Sequence, residues 1–433
     1  ALAAVPARAG EDHPSLPFEF AAQRALAATD SIQYAARVQS GNKIGMTQTN
    51  YGFVGTNFSS FAPSFEYPLG SSHMHMVRGG PWVGAISVDR DGNIFTGVST
   101  ATEDGSAGSN AAGAGEFTPA GNSVGARSSL PNSRFYDPAS ISELDFISSY
   151  SDEPADRRKR HVPLNILVNQ YNFEWSFSNY AHFVLFHYVV HNQGQPLRKV
   201  WLGTYDELAS GNMRLQSTYP PVGWFNKKLI TWVDSLNMVT ERYCQARPFP
   251  AQCRFDFVPE IVGIKLLGVK YNGVRDTANK RVTFASWSYA PGSAARNEDS
   301  LRYNILSSGR KVPLNPLPDS LAPGTGDPVT LLGMGPFDTV NPRDSVSIDF
   351  AYIGGLSYEE LSKRAVIAQR AYDLDYIVPL PPPSPKLKAI ARRNAIDLYW
   401  EHSPQDFVDP TNPFGKDFEG YRVYLGTVSG DLT

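Results

Sequence analysis

His73 and His75, in His73-Met74-His75-Met76, are the residues whose type and spacing best suit a metal ion. On an extended chain, side chains two apart share a face, so both imidazoles point the same way, and imidazole is a common zinc ligand. A third ligand would have to come from elsewhere, with His187 and His191 as candidates. The plainer alternative is a half-exposed strand bearing ordinary polar histidines. Asp89, Asp91, Gly92 and Asn93 match part of a calcium loop. In an EF-hand, however, the glycine falls at the sixth position, two beyond Gly92, and a distal Glu follows. Turn chemistry alone accounts for the run. Asp206 and Glu207 place two carboxylates at a strand end, where they either hold a cation or cap the strand.

Other signals for catalysis lack their context. Gly121-Asn122-Ser123-Val124-Gly125 fits the nucleophile-elbow pattern, but no apolar strand precedes it and no helix follows. No HExxH, Walker A or dinucleotide fingerprint occurs. Tyr171, Phe173, Trp175, Tyr219, Trp224, Phe225, Trp232 and Trp287 are either a sugar-stacking platform or the core and rim of a large sandwich. Cys244 and Cys253 are separated by eight residues in a chain with no other cysteine. That spacing predicts a disulfide worth about 2–3 kcal/mol and an oxidising compartment. No metal or other cofactor is expected, with calcium or another metal ion as the alternative.

The elements that must position these residues read as mainly β. The chain has 433 residues with 42% hydrophobic, 12% aromatic and 19% charged content, which makes it globular and long enough for more than one domain. A net charge of −3 disfavours a bulk electrostatic grip on nucleic acid or acidic lipid. No run of 18 apolar residues exists, so no helix spans a membrane. The start, Ala1-Leu2-Ala3-Ala4, reads as a processed N-terminus whose signal peptide has been removed, and the expected location is secreted or at the cell surface.

Residues 1–50 are Ala-rich, with a helix expected within Phe20–Gln39 ended by Gly41. Residues 51–378 form a large β-sandwich-type domain. Its expected centre is a strand at Phe183–Val190, apolar on both faces, followed by a break at Asn192, Gly194 and Pro196 and a returning strand at Val200–Tyr205. Trp82–Val88 and Ile94–Val98 flank a hairpin turn at 89–92. Ser345–Ile353 alternates, with Val346, Ile348, Phe350 and Tyr352 inward. One packed helix over 357–374 begins with a capping box, Ser357 and Glu360. Gly105–Pro131 reads as a loop, and Arg157-Arg158-Lys159-Arg160 as a solvated one. Pro379–Pro385 is a stiff linker, and 386–433 a smaller β unit.

In that last unit, Trp400 ends the second of three apparent strands, and Gly420-Tyr421-Arg422-Val423-Tyr424 falls in the third. The segment resembles a fibronectin type III domain, which implies a partial seven-strand sandwich, commonly extracellular, with no catalytic residue. Only about three strands fit before Thr433, so the rest is expected either to follow in a longer gene product or to come from another chain. Phe65-Glu66-Tyr67-Pro68, Gly80-Pro81-Trp82-Val83-Gly84 and the break around Asn192 resemble uncharacterised secreted bacterial multidomain β-proteins, a resemblance that brings no activity. The expected function is a secreted, non-enzymatic structural or cell-surface assembly protein, with other chains or copies of itself as partners. The alternative is a carbohydrate-binding or glycoside-active extracellular protein, with glycans as partners.

Overall fold

Short runs rich in Val, Ile, Phe, Tyr and Thr, punctuated by Gly, Pro and Asn, give the chain a mainly β fold. The computed structural model describes residues 33–58, 60–89, 91–102, 115–153, 161–177, 179–215, 228–244, 258–288, 298–311, 328–378 and 385–408, with positions 382, 418, 420 and 421. In chain order the strands are β1 (Ala36–Gln39), β2 (Gly45–Thr49), β3 (Val54–Gly55), β4 (Ser64–Glu66), β5 (His73–Val88), β6 (Ile94–Thr100) and β7 (Thr118–Pro119). There follow β8 (Gly125–Arg127), β9 (Leu144–Ser151), β10 (Ile166–Glu174), β11 (Phe183–Asn192), β12 (Leu197–Asn212), β13 (Lys228–Val233) and β14 (Met238–Tyr243). The remainder are β15 (Ile261–Tyr271), β16 (Val274–Arg275), β17 (Arg281–Ser288), β18 (Pro328–Val340), β19 (Ser345–Gly355), β20 (Leu387–Arg392) and β21 (Ala395–Trp400).

Two antiparallel sheets build the large unit, Ala1–Tyr372. The first runs β1-β2-β3-β5-β12-β18-β17, with β4 on β2 and β5, and β6 on β5. The second runs β13-β14-β15-β19-β11-β10-β9-β7, with β16 on β15 and β8 on β9. Their facing sides share one apolar core. Met76, Val83, Leu202 and Leu208 of the first sheet pack in it with Val184, Phe186, Tyr188, Ile348 and Phe350 of the second. The Phe186 and Tyr352 rings lie 4.4 Å apart. Alternation puts Trp201 and Tyr205 of β12 on the outer side, where Trp82, Trp287 and Leu306 of the helix Asp299–Leu306 cover them. Trp82 and Tyr205 stack at 5.6 Å.

The second sheet is covered outside by the helix Tyr358–Asp373, whose buried stripe is Leu361, Ala365, Ala368, Ala371 and Tyr372. Its cap is the expected one. Glu360 N–H donates to Ser357 Oγ at 3.2 Å, and Glu360 Oε2 reaches back to accept from Leu356 N–H at 3.1 Å. The helix lies close because residue 268 is glycine; a Cβ there would stand 2.8 Å from Tyr372 Cζ.

Strand β11 is central, between β10 and β19. The expected return hairpin is not formed. Both edges of β11 are already taken, and β12 leaves for the other sheet, pairing β5 and β18. Asn192 shapes that bend: its Nδ2 donates to Gln195 O and Val340 O, and its Oδ1 accepts from Gly194 N–H, all at 2.9 Å. The expected helix within Phe20–Gln39 also gives way at its end. Ala36–Gln39 is a strand in register with Thr49–Met46, because edge pairing outweighs a weak helix propensity; positions before 33 lie outside the described residues. The first sheet therefore begins well before residue 51.

The smaller unit, Asp373–Thr433, contains the β20–β21 hairpin. Trp400 ends β21, as expected, and its ring lies 5.4 Å from Tyr421, whose hydroxyl donates to Glu401 O at 3.2 Å. Leu387, Ile396 and Tyr399 are exposed. Beyond Tyr421 the expected third strand, and most of the Pro379–Pro385 linker, lie outside the described residues.

Candidate functional site

His73 and His75 stand at the start of β5, where it runs beside the end of β12 and under Glu241 and Glu260 from the opposite sheet. Both have protein partners at each ring nitrogen. His75 Nδ1 is 2.6 Å from Ser210 Oγ, and Nε2 is 3.1 Å from Tyr67 O. Ser210 Oγ in turn meets Glu241 Oε2 at 2.5 Å. His73 Nδ1 meets Glu260 Oε2 at 2.9 Å, and its Nε2 faces Asn212 Nδ2 at 3.0 Å. Burial lowers the His75 pKa to about 4 and raises that of Glu241 to about 7. One arrangement of protons fits both shifts: Glu241 as the acid donates to Ser210, Ser210 donates to neutral His75 Nδ1, and Nε2–H donates to Tyr67 O. With their nitrogens so occupied, neither ring is turned to a metal ion, and His187 and His191 are held elsewhere. His187 Nδ1 faces Asp349 Oδ1 at 2.8 Å, and His191 Nε2 faces Asn169 Nδ2 at 3.2 Å. Among the described residues no group of three or more His, Cys, Asp or Glu could hold a metal ion.

Asp206 and Glu207 point to opposite sides of β12 and so cannot share a cation. Glu207 pairs with Arg78 at 2.7 Å, both buried. Asp206 turns into the sandwich, where Tyr352 O–H donates to its Oδ1 at 2.9 Å and Thr204 Oγ1 lies 3.2 Å from the same phenol. Burial raises the Asp206 pKa to about 7. Residue 79 must be glycine here, since a Cβ would collide with Asp206 Oδ1. Gln48 of the first sheet adds a third polar tie between the sheets, accepting from Gln170 Nε2 at 3.0 Å.

A further cluster has the atom order of a hydrolase triad. Ser99 Oγ of β6 is 3.3 Å from His161 Nε2, and His161 Nδ1 is 2.8 Å from Asp299 Oδ2. Yet Ser99 is fully buried and donates instead to Asp152 Oδ2 at 2.7 Å. The charges continue through Asp299 to Arg302 at 3.5 Å, and from Arg302 to Glu116 at 3.0 Å. Burial pulls the His161 pKa down, but the Asp299 hydrogen bond and the charges of Glu116, Asp299 and Asp152 outweigh it and leave it raised. A nucleophile needs an open face toward its substrate, and Ser99 has none; the cluster fastens β6, the β9–β10 connection and the helix Asp299–Leu306 together. Sequence reading missed it because its members are 62 and 138 positions apart. Ser123, in the pattern that sequence did suggest, is exposed in a loop followed by the strand β8.

Asp89 and Asp91 lie in the β5–β6 turn. The Asp89 carboxylate is engaged by that turn, accepting from Asp91 N–H at 2.9 Å and from Asn93 N–H at 2.8 Å, and its pKa is lowered, chiefly by Asn93. Gly92 takes the positive φ the turn needs. Residues of this turn, of the two described ends of the β9–β10 connection (Glu153 and Val162, Pro163 and Asn165) and of the β11–β12 bend line a half-open pocket of about 610 Å³. Of the aromatic set, the described members fit the core-and-rim alternative: Tyr171, Phe173, Trp175 and Trp287 are buried, and half-buried Trp232 stacks on Phe284 at 4.7 Å. Tyr219, Trp224, Phe225, Cys253 and Arg157 to Arg160 lie outside the described residues; Cys244 is buried just after β14.

No family model matches the chain, and no curated protein matches it. Among solved structures it is similar to a candidate aldose 1-epimerase from Escherichia coli K12, with 9% identity and a TM-score of 0.29 over 74% of this chain and 99% of that one. No helix of the described residues is long and apolar enough to cross a membrane.

Proposed function

We propose that the chain is a secreted, non-enzymatic structural or surface-assembly protein, with other protein chains or copies of itself as partners. The observation that carries this reading is the use made of its chemically able groups. Glu241 to Ser210, Tyr352 to Asp206 and Gln170 to Gln48 each join one sheet to the other. Ser99, His75, Asp206, Glu241 and Arg302 are all buried in polar ties within the unit. Groups spent on rigidity suit a scaffold whose surfaces do the work. Light scattering and electron microscopy of the purified native protein should show an ordered assembly. Turnover of any ester or polysaccharide in a substrate panel, abolished by Ser99→Ala or by replacing one carboxylate, would overturn the proposal. A second reading, carbohydrate binding, is favoured by the half-open pocket.

A further inference from the structure

We propose that this pocket binds a neutral oligosaccharide, an assignment that rests on the carbohydrate-binding reading and gives it a place. Its volume of about 610 Å³ lies within the range of small-molecule sites, about 300–1,000 Å³. Both sheets contribute to it through three separate turns. Gly194 lets two of these close up, since a Cβ there would stand 2.7 Å from Asn165 Cβ.

The lining combines two kinds of surface. Phe95 packs against the core, so its half-buried ring is a fixed floor, with Pro163 beside it. Val88 and Val162, also in the lining, are exposed at 39% and 44%. Against this apolar surface stand Asp91, Asn165 and Gln195, with Asp89 and Glu153 also in the lining. Among the described residues the side chains of Asp91 and Gln195 make no hydrogen bond, and Asn165 Nδ2 has only a 3.5 Å contact with Pro163 O.

Carboxylate oxygens accept, and the two amides both donate and accept. Sugar hydroxyls need that mixture, while the C–H faces of a sugar ring need the apolar floor and rim. A purely cationic ligand would leave the amide N–H groups without acceptors. A purely apolar one would strip water from the carboxylate with nothing in return.

The test uses arrays of neutral cello-, xylo-, manno- and chito-oligosaccharides, followed by titration calorimetry. The protein should bind at least one series with a Kd of about 1 mM or tighter. The double variant Asp91→Ala/Gln195→Ala should weaken that binding about tenfold or more, with an unchanged melting curve. Lys363→Ala, on the exposed side of the long helix, should leave it unaltered. If no oligosaccharide binds, both the inference and the carbohydrate reading fall. Binding that survives the double variant would overturn the pocket assignment alone, and place the glycan elsewhere on the surface. Binding of oligolysine but not of sugars would also overturn it.

Discussion

Asp206 is buried, with the Tyr352 phenol and the Thr204 hydroxyl hydrogen-bonded to it, and that sets how it responds to pH. Burial raises its pKa to about 7, so it is the acid below neutrality and about half ionised at it. Asp206→Asn keeps an oxygen for Tyr352 and cannot ionise. Its denaturant midpoint should match that of the parent at about pH 3.5, below the unfolded carboxylate value, and exceed it at pH 8.5, where the parent holds an uncompensated buried charge. A variant weaker than the parent at both values would show that the carboxylate contributes as an ion. Phe186 tests the core itself. With no exposed surface and Tyr352 against its ring, Phe186→Ala should cost about 3–5 kcal/mol by equilibrium unfolding. A loss under about 1 kcal/mol would make β11 peripheral.

Elements meet most tightly where a glycine admits a neighbour. At the end of β19 a Cβ on Gly354 would collide with the Tyr67 ring, whose hydroxyl contacts His182 Nδ1 and Arg364 Nη1, each at 3.0 Å. Gly354→Ala should therefore cost about 1–3 kcal/mol through overpacking, measurable as a lower Tm, whereas Ser357→Ala at the helix cap should cost about 1 kcal/mol. Cys244 and Cys253 give a further expectation: intact mass with and without reductant should reveal one bridge, and two alkylatable thiols in unreduced protein would rule it out. At this scale the strands were legible. β6, β11 and β19 follow from β-branched and aromatic runs, and the long helix from its box and apolar stripe. What those runs could not disclose was which sheet each strand joins. The bend after Asn192 reads alike whether the chain doubles back or crosses over, and only the prior occupation of both β11 edges decides it. The polar clusters were illegible for a related reason. Ser99, His161 and Asp299 are unremarkable in their own stretches and gain meaning only when three distant elements pack.

Across the whole molecule, the buried ionisable groups give stability a direction with pH. Asp206 and Glu241, near 7, and Glu174, near 8, are all raised by burial. Each contributes stability that is complete below the unfolded carboxylate value and is lost as pH climbs through the folded one. His161, also raised, acts in the same sense above the unfolded histidine value. His75 and His182, lowered to about 4 chiefly by burial, oppose them only between about 4 and 6.5, where stability gains as the unfolded chain gives up its protons. Above pH 6.5 nothing in this set offsets the loss. Tm should therefore fall as pH rises from 6.5 to 8.5, and Asp206→Asn should flatten the descent. A Tm that rises toward pH 8.5 would contradict this account of the interior.

The longest strands, β5 and β12, are sixteen residues each and lie side by side, antiparallel, over most of their length. At about 3.3 Å per residue each extends some 50 Å. A tension pulling these two strands in opposite directions along their axes would load all the rungs between them simultaneously, whereas one peeling them apart from an end would break the rungs in turn. The sandwich is thus a mechanically directional body, stiff in shear along β5 and β12 and yielding to unzipping. Pulling with a force probe through cysteine handles placed at Val88 and Asn212 or, alternatively, at Val88 and Leu197 would measure that anisotropy directly.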